Sequence, residues 1–194
     1  MAPYLQAVGG EWDAALALYD ANARVSAAFF ESIHYLEVGL RNAINDAVTA
    51  RVDPDWLTAG SPVLTANSRG VVAAAQRHAG GLGASRDKVI AELPFGFWWS
   101  LLADEYNRRL WQPALCHAFE GSVRRRVLHA ELDEVRRQRN RIAHHEPIHT
   151  RDLNADYRRV VDIANRVGPV LGAHIAAISR VPELLYEGFV APGG

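Results

Sequence analysis

The spacing of apolar side chains divides the chain into helical stretches. Between Asn22 and Arg51, Val25, Phe29, Ile33, Leu36, Leu40, Ile44 and Val48 recur at intervals of three and four residues, which puts them in one stripe along a long amphipathic helix. Asp53-Pro54 stops it, because the residue before a proline is driven out of helical conformation. A shorter helix is expected ahead of it, over about Glu11 to Tyr19. Asn67 to His78 makes another helix closed by Gly80-Gly81, and Ser85 stands where the cap of the next segment belongs. Beyond Gly121 a long helix is predicted from Ser122 to about His144, ending before Pro147. Thr150 is placed to cap the helix that follows, to about Arg166, and Gly168-Pro169 separates that helix from a last one through Ile178. No segment alternates at period two. The pattern predicts an all-α fold, an antiparallel helical bundle with additional helices.

The 194 residues, 49% of them hydrophobic and 22% charged, suffice for one domain with a real core, expected over 1–194. Nothing repeats at a solenoid period and no tract is of low complexity. The longest apolar stretches, such as Phe97 to Ala103, are far short of the roughly 20 residues that cross a bilayer, so no membrane partner is expected. Glu11 and Asp13 stand beside the first apolar positions where a secretory signal would carry basic residues, and the expected compartment is the cytoplasm. Cys116 is the single cysteine, which excludes an intrachain disulfide and a cysteine zinc cage; its apolar surroundings, Pro113 to Phe119, suit a packed thiol better than a nucleophile. The stretch Leu93 to Phe119 gathers Phe95, Phe97, Trp98, Trp99, Tyr106, Trp111 and Phe119, a density expected of a core or a dimer contact.

A net charge of −1 argues against a protein that coats nucleic acid without specificity, but the distribution is uneven. From Ser122 to His145 there are seven arginines (124, 125, 126, 136, 137, 139 and 141) against three acids (131, 133 and 134), a basic stripe on one helix that a solvated face would also explain. Residue types at its end add chemistry. Arg139 is a permanent cation able to grip phosphate, Asn140 an amide able to orient a hydroxyl or a ring, and His144 an imidazole able to move a proton near neutral pH. RNA cleavage by its own 2′-hydroxyl needs a base for that hydroxyl, an acid for the leaving 5′-oxygen and positive charge for the phosphorane. One histidine supplies one proton-transfer group; two copies of the chain supply two. Asn140 and His144 share a helix face, whereas Arg139 and His144 are about 140° apart on an ideal helix.

An arginine five residues before a histidine is weak evidence, since 20 Arg and 8 His predict about 0.8 such pairs by chance, and Arg124 with His129 is one. The second copy differs in having Asn140 beside the arginine, Ala143 before a doubled histidine, and Pro147 to break the helix. The string RNRIAHH, residues 139–145, resembles the motif of the HEPN superfamily, and its Ala-His-His ending resembles the Abi-like, abortive-infection branch. HYLEVGLRNAIN (34–45) resembles the long early helix of that branch, with Glu37, Arg41 and Asn42 in place, and LPFGFWWSLL (93–102) followed by Trp111 resembles its central aromatic segment. The resemblance runs in order from about Leu36 to Arg159. It implies a HEPN-like helical bundle, a homodimer with paired motifs facing a shared cleft, and cleavage of an RNA substrate with no metal or other cofactor. The biological setting it implies is phage defence, or the toxin of a toxin–antitoxin system with an antitoxin protein as a further partner. Arg139 and His144 match the catalytic pair and Asn140 its polar position; His145, Arg141, Glu37, Arg41 and Asn42 become supporting or substrate-binding candidates. Glu37 and Arg41, one turn apart, are expected to pair with each other or with the motif. EPIHTRDL, 146–153, departs from the aromatic or Asn-containing continuation often seen in that branch.

Two other readings use the same residues. His144, His145, His149 and Glu146 have the ligand types of a metal site, although adjacent histidines on a helix diverge. A HEPN-like dimer could also bind RNA, a nucleotide or a protein partner without cutting.

Overall fold

The computed structural model describes residues 1–187. Nine α-helices lie among them: α1 (Ala2–Ala7), α2 (Trp12–Arg51), α3 (Ala66–His78), α4 (Arg86–Glu92), α5 (Phe95–Ser100), α6 (Arg125–Ala143), α7 (Leu153–Val167), α8 (Pro169–Ile178) and α9 (Val181–Tyr186). No strand occurs among the described residues, and the fold class is all-α. None of these helices is long and apolar enough to cross a membrane.

The central element is α2, about 60 Å long at 1.5 Å per residue. Its whole predicted stripe, Val25 to Val48, is buried. Two helices were expected here and there is one. Between Tyr19 and Asn22 no glycine or proline interrupts the chain, and alanines at 14, 15, 17, 21 and 23 carry the helix through. Helices α1, α5, α6, α7, α8 and α9 all pack on α2. At Gly39 the bare backbone lets Leu171 of α8 come so close that a Cβ would collide with its side chain. Arg86 of α4 ties the far end of α2 down by donating to the Pro54 carbonyl, Asn45 Oδ1 (2.9 Å) and Thr49 Oγ1 (2.6 Å).

The aromatic segment is core, as its density predicted: Phe95, Phe97, Trp98, Tyr106, Trp111 and Phe119 are buried. Trp99 is half-buried and joins α5 to α6. Its ring stacks on His129 at 4.6 Å, its indole N–H donates to the His129 carbonyl, and the Arg136 guanidinium lies 4.6 Å from its centroid.

Boundaries shift where side-chain chemistry overrides the pattern. α6 starts at Arg125 rather than Ser122, at the residue whose guanidinium is anchored by the Leu102 carbonyl (2.7 Å) and the Asp104 carboxylate. Asp152, not Thr150, caps α7, with Oδ1 accepting from Ala155 N–H at 2.9 Å; a carboxylate serves that end better than a hydroxyl. Ser85 holds the N-cap position of α4 without accepting a hydrogen bond there, whereas Thr65 caps α3. The short helices α1, α5 and α9 lie outside the predicted set.

Candidate functional site

The end of α6 carries the motif and is locked by backbone geometry. His144 N–H donates to the Asn140 carbonyl (2.9 Å), His145 N–H to Ile142 (3.0 Å) and Glu146 N–H to Arg141 (2.8 Å), the pattern that closes a helix through a left-handed residue. That residue is His145, at φ 57°, alone among the described non-glycine residues in having a positive φ. Glycine suits this position; an L-residue there costs about 1–2 kcal/mol.

Beyond it, the chain is clamped twice. Buried Asn22 of α2 accepts from the backbone N–H groups of Ile148 (2.8 Å) and His149 (3.1 Å) through Oδ1. Arg151 then donates to both oxygens of Asp156 (2.6 and 2.9 Å) and to Glu134 Oε2 (3.1 Å), while Arg159 donates to Asp156 Oδ1 (2.8 Å). These hydrogen bonds hold the Arg151 guanidinium charged well above its usual range. The segment departing from the expected continuation is thus a buckle between α6, α7 and α2.

Arg139 is half-buried and lines a cleft of about 230 Å³ against α2, with Phe30, His34, Glu37, Val38 and Arg41. Four other arginines of α6 are committed to acids: Arg125 to Asp104, Arg136 to Asp133, Arg137 to Asp133 and Glu134, and Arg141 to Glu146. Among the described residues neither Arg139 nor Arg41 enters an ion pair, and the buried Nε of each has no hydrogen-bond partner. The solvated-stripe reading accounts for the committed arginines and not for these two. Of the two expected pairings, Glu37 with Arg41 or with the motif, neither forms an ion pair among the described residues; Glu37 shares the cleft with the Arg41 and Arg139 guanidinium groups. Burial raises the Glu37 carboxyl above its usual value, partly offset by the nearby charges of Arg139, then Arg41 and His34.

That balance gives a pH signature. A folded-state pKa above the unfolded 4.5 means that the Glu37 contribution to stability is fully present below about pH 4.5 and lost as pH rises through the folded value. Glu37→Gln is therefore expected to raise the melting temperature at pH 8 and to leave it nearly unchanged at pH 4. Thermal melts of both proteins across that range check this, and an increase confined to acid pH contradicts it.

His144 is exposed at the C-cap, on the side of α6 turned away from the core, and Asn140 shares that side. The helix stays regular through Ala143, so the angular separation of Arg139 from His144 persists. The structure brings Arg139 to Glu37 and Arg41, and leaves His144 to solvent. Asn42 is exposed and does not line the cleft; Arg141 is held by Glu146 at 3.4 Å. His149 packs on Tyr4, ring centroids 5.2 Å apart, and burial lowers its pKa. No group of three or more His, Cys, Asp or Glu side chains is gathered for a metal ion among the described residues, so His144, His145, Glu146 and His149 do not converge as ligands.

A second, larger cavity of about 430 Å³ lies beside the first, with Phe30 lining both. Tyr19, Asn22, Ala23, Ser26 and Ala27 of α2 form one side, Tyr4 of α1 one end, and Ile142, Ala143, His145 and Glu146 the other side. Asn22, Tyr19 and Phe30 escaped the sequence reading. Phe30 carried a signal, being a large aromatic one place off the buried stripe.

Compared with protein-family models, with curated proteins and with solved structures, the chain matches none.

Proposed function

We propose that this protein is a HEPN-type, Abi-like endoribonuclease that cleaves RNA without metal, acting in the cytoplasm in phage defence or as the toxin of a toxin–antitoxin system. The observation that carries this reading is the pair of uncommitted guanidinium groups, Arg139 and Arg41, in a cleft at the end of a helix whose next turn presents an exposed imidazole, His144.

In this reading the guanidinium groups bind the scissile phosphate and offset the charge of the phosphorane. A His144 imidazole takes the proton of the 2′-hydroxyl as the O2′–P bond forms. A second imidazole delivers a proton to the 5′-oxygen as the P–O5′ bond breaks. Asn140, one turn from His144 on the same side, orients the ring or the hydroxyl. Each chain holds one such histidine, about 140° around the helix from its own Arg139, so a homodimer with facing motifs supplies both the second imidazole and the missing juxtaposition.

The angular separation within one chain also suits the other reading, a dimer that binds RNA, a nucleotide or a protein such as an antitoxin without cutting. One experiment separates them. The purified protein is incubated with structured RNA in excess chelator. Cleavage at the rate seen without chelator is expected; intact RNA that nonetheless co-purifies with the protein favours binding.

A further inference from the structure

We propose that the larger cavity seats one unpaired nucleobase of the RNA, next to the phosphate held in the smaller cleft. The inference rests on reading the Arg139 cleft as a phosphate site and names what occupies the space beside it.

At about 430 Å³ the cavity is of small-molecule size. Its α2 side is a bare floor: Ala23, Ser26 and Ala27 fall within about one helical turn, so backbone and small side chains leave room for a flat ring. At the end of that floor stands Phe30, 44% exposed although large and apolar. An aromatic face beside a bare floor is a stacking platform, tolerant of sequence because every base has a π-face. The floor itself holds one unpaired polar group, the Ser26 hydroxyl, which is shielded from solvent and has no hydrogen-bond partner; Tyr4, Tyr19, Asn22 and His145 add polar groups around it. His145 closes the opposite side, held there by its left-handed backbone.

Continuity with the charged cleft decides the class of ligand. Phe30 is a wall of both cavities, so a molecule whose ring lies on it in the larger one extends its attached group toward Arg139 and Arg41 in the smaller. A flat ring joined to an anion describes a nucleotide. Neither an apolar peptide nor a lipid tail uses the two unpaired guanidinium groups. Glu146, which also lines the cavity, has the Arg141 Nε 3.4 Å from its carboxylate and its side chain largely in water, so its charge is partly countered and screened. A base inside a duplex presents only its edge and cannot lie on Phe30, so the seat selects unpaired RNA.

The test is equilibrium binding of a fluorescein-labelled, single-stranded decamer of mixed sequence with 2′-O-methyl riboses, which cannot undergo 2′-hydroxyl attack. Wild-type protein is compared with Phe30→Ala and Ala27→Trp. The first removes the platform; the second fills the floor from an exposed position and leaves the core alone. Each variant is expected to bind roughly five- to 150-fold more weakly, with melting temperature unchanged. The decamer annealed to its complement should bind wild type no better than it binds the variants. A photoreactive 4-thiouridine in the single strand should cross-link within residues 19–30 or 142–146. Wild-type affinity in both variants, no binding by wild type, or loss of a dimer in Phe30→Ala, which would give the groove to a second copy, overturns the proposal. Failure of the nuclease reading looks different: Phe30-dependent binding with no cleavage of ordinary RNA keeps the base seat. His144-dependent cleavage with normal binding and cutting by both variants removes the seat alone.

Discussion

Alanine at position 144 is expected to slow RNA cleavage by about 10²- to 10⁴-fold, the contribution typical of a general acid or base. The variant is informative because His144 is exposed and has no packing role that its loss would disturb. Its melting temperature should therefore match wild type, which separates loss of chemistry from loss of structure. Arg139→Ala should fall by a comparable factor, and the double variant little further, because groups acting in one transition state do not contribute independently. Arg139→Lys should recover only part of the rate, since a lysine offers a point charge where a guanidinium offers a fork. Single-turnover rates on a defined RNA in chelator measure all four. Equal rates for wild type and His144→Ala remove the imidazole from the mechanism, and with it the proposal that this chain cuts RNA in the manner described.

Asp156→Ala is expected to cost about 3 kcal/mol of stability, the low end for a broken buried ion pair because Arg151 and Arg159 keep some contact with water. The Asp156 side chain is 5% exposed and accepts from both arginines; without it Arg151 keeps Glu134 alone. At about 2–4 °C per kcal/mol for a chain of this length, the melting temperature should fall by roughly 6–12 °C. Asp156→Asn, which keeps the volume and an acceptor, should fall less. Calorimetry or circular dichroism reads both, and a shift within 1 °C for Asp156→Ala shows that the network does not hold the buckle. Activity should weaken with stability, because the same arginine anchors the chain that leaves the motif.

The large-scale pattern was legible wherever burial alone decides it. The α2 stripe follows from spacing and is buried throughout, most of the aromatic segment is core as its density demands, and α6 lies between the breakers Gly121 and Pro147 that bound it. What escaped depends on partners far away in sequence. Asn22 reads as a weak helix former and invites a break, yet its side chain serves backbone groups 126 and 127 residues on. Asp152 replaced Thr150 as the cap because two candidate residues compete within one turn and the carboxylate is the better match. At the site, Arg139, Arg41 and Glu37 were legible as candidates, but their common cleft, and the absence of an ion pair among them, follow from how α6 lies on α2. The exposed position of His144 follows from helix phase and was accessible in advance; the left-handed backbone of His145 was not, since histidine lacks the usual glycine signal for such a cap.

The Asn22 clamp sets the smallest portable unit of the site. One amide near the start of α2 fixes the chain just past the motif, so a peptide copied from α6, or a fragment beginning after residue 22, would carry the motif's letters without their arrangement. Grafting this centre onto another scaffold requires transplanting two strands of information at once, the helix that bears the reactive groups and the remote rod that tells it where to stop.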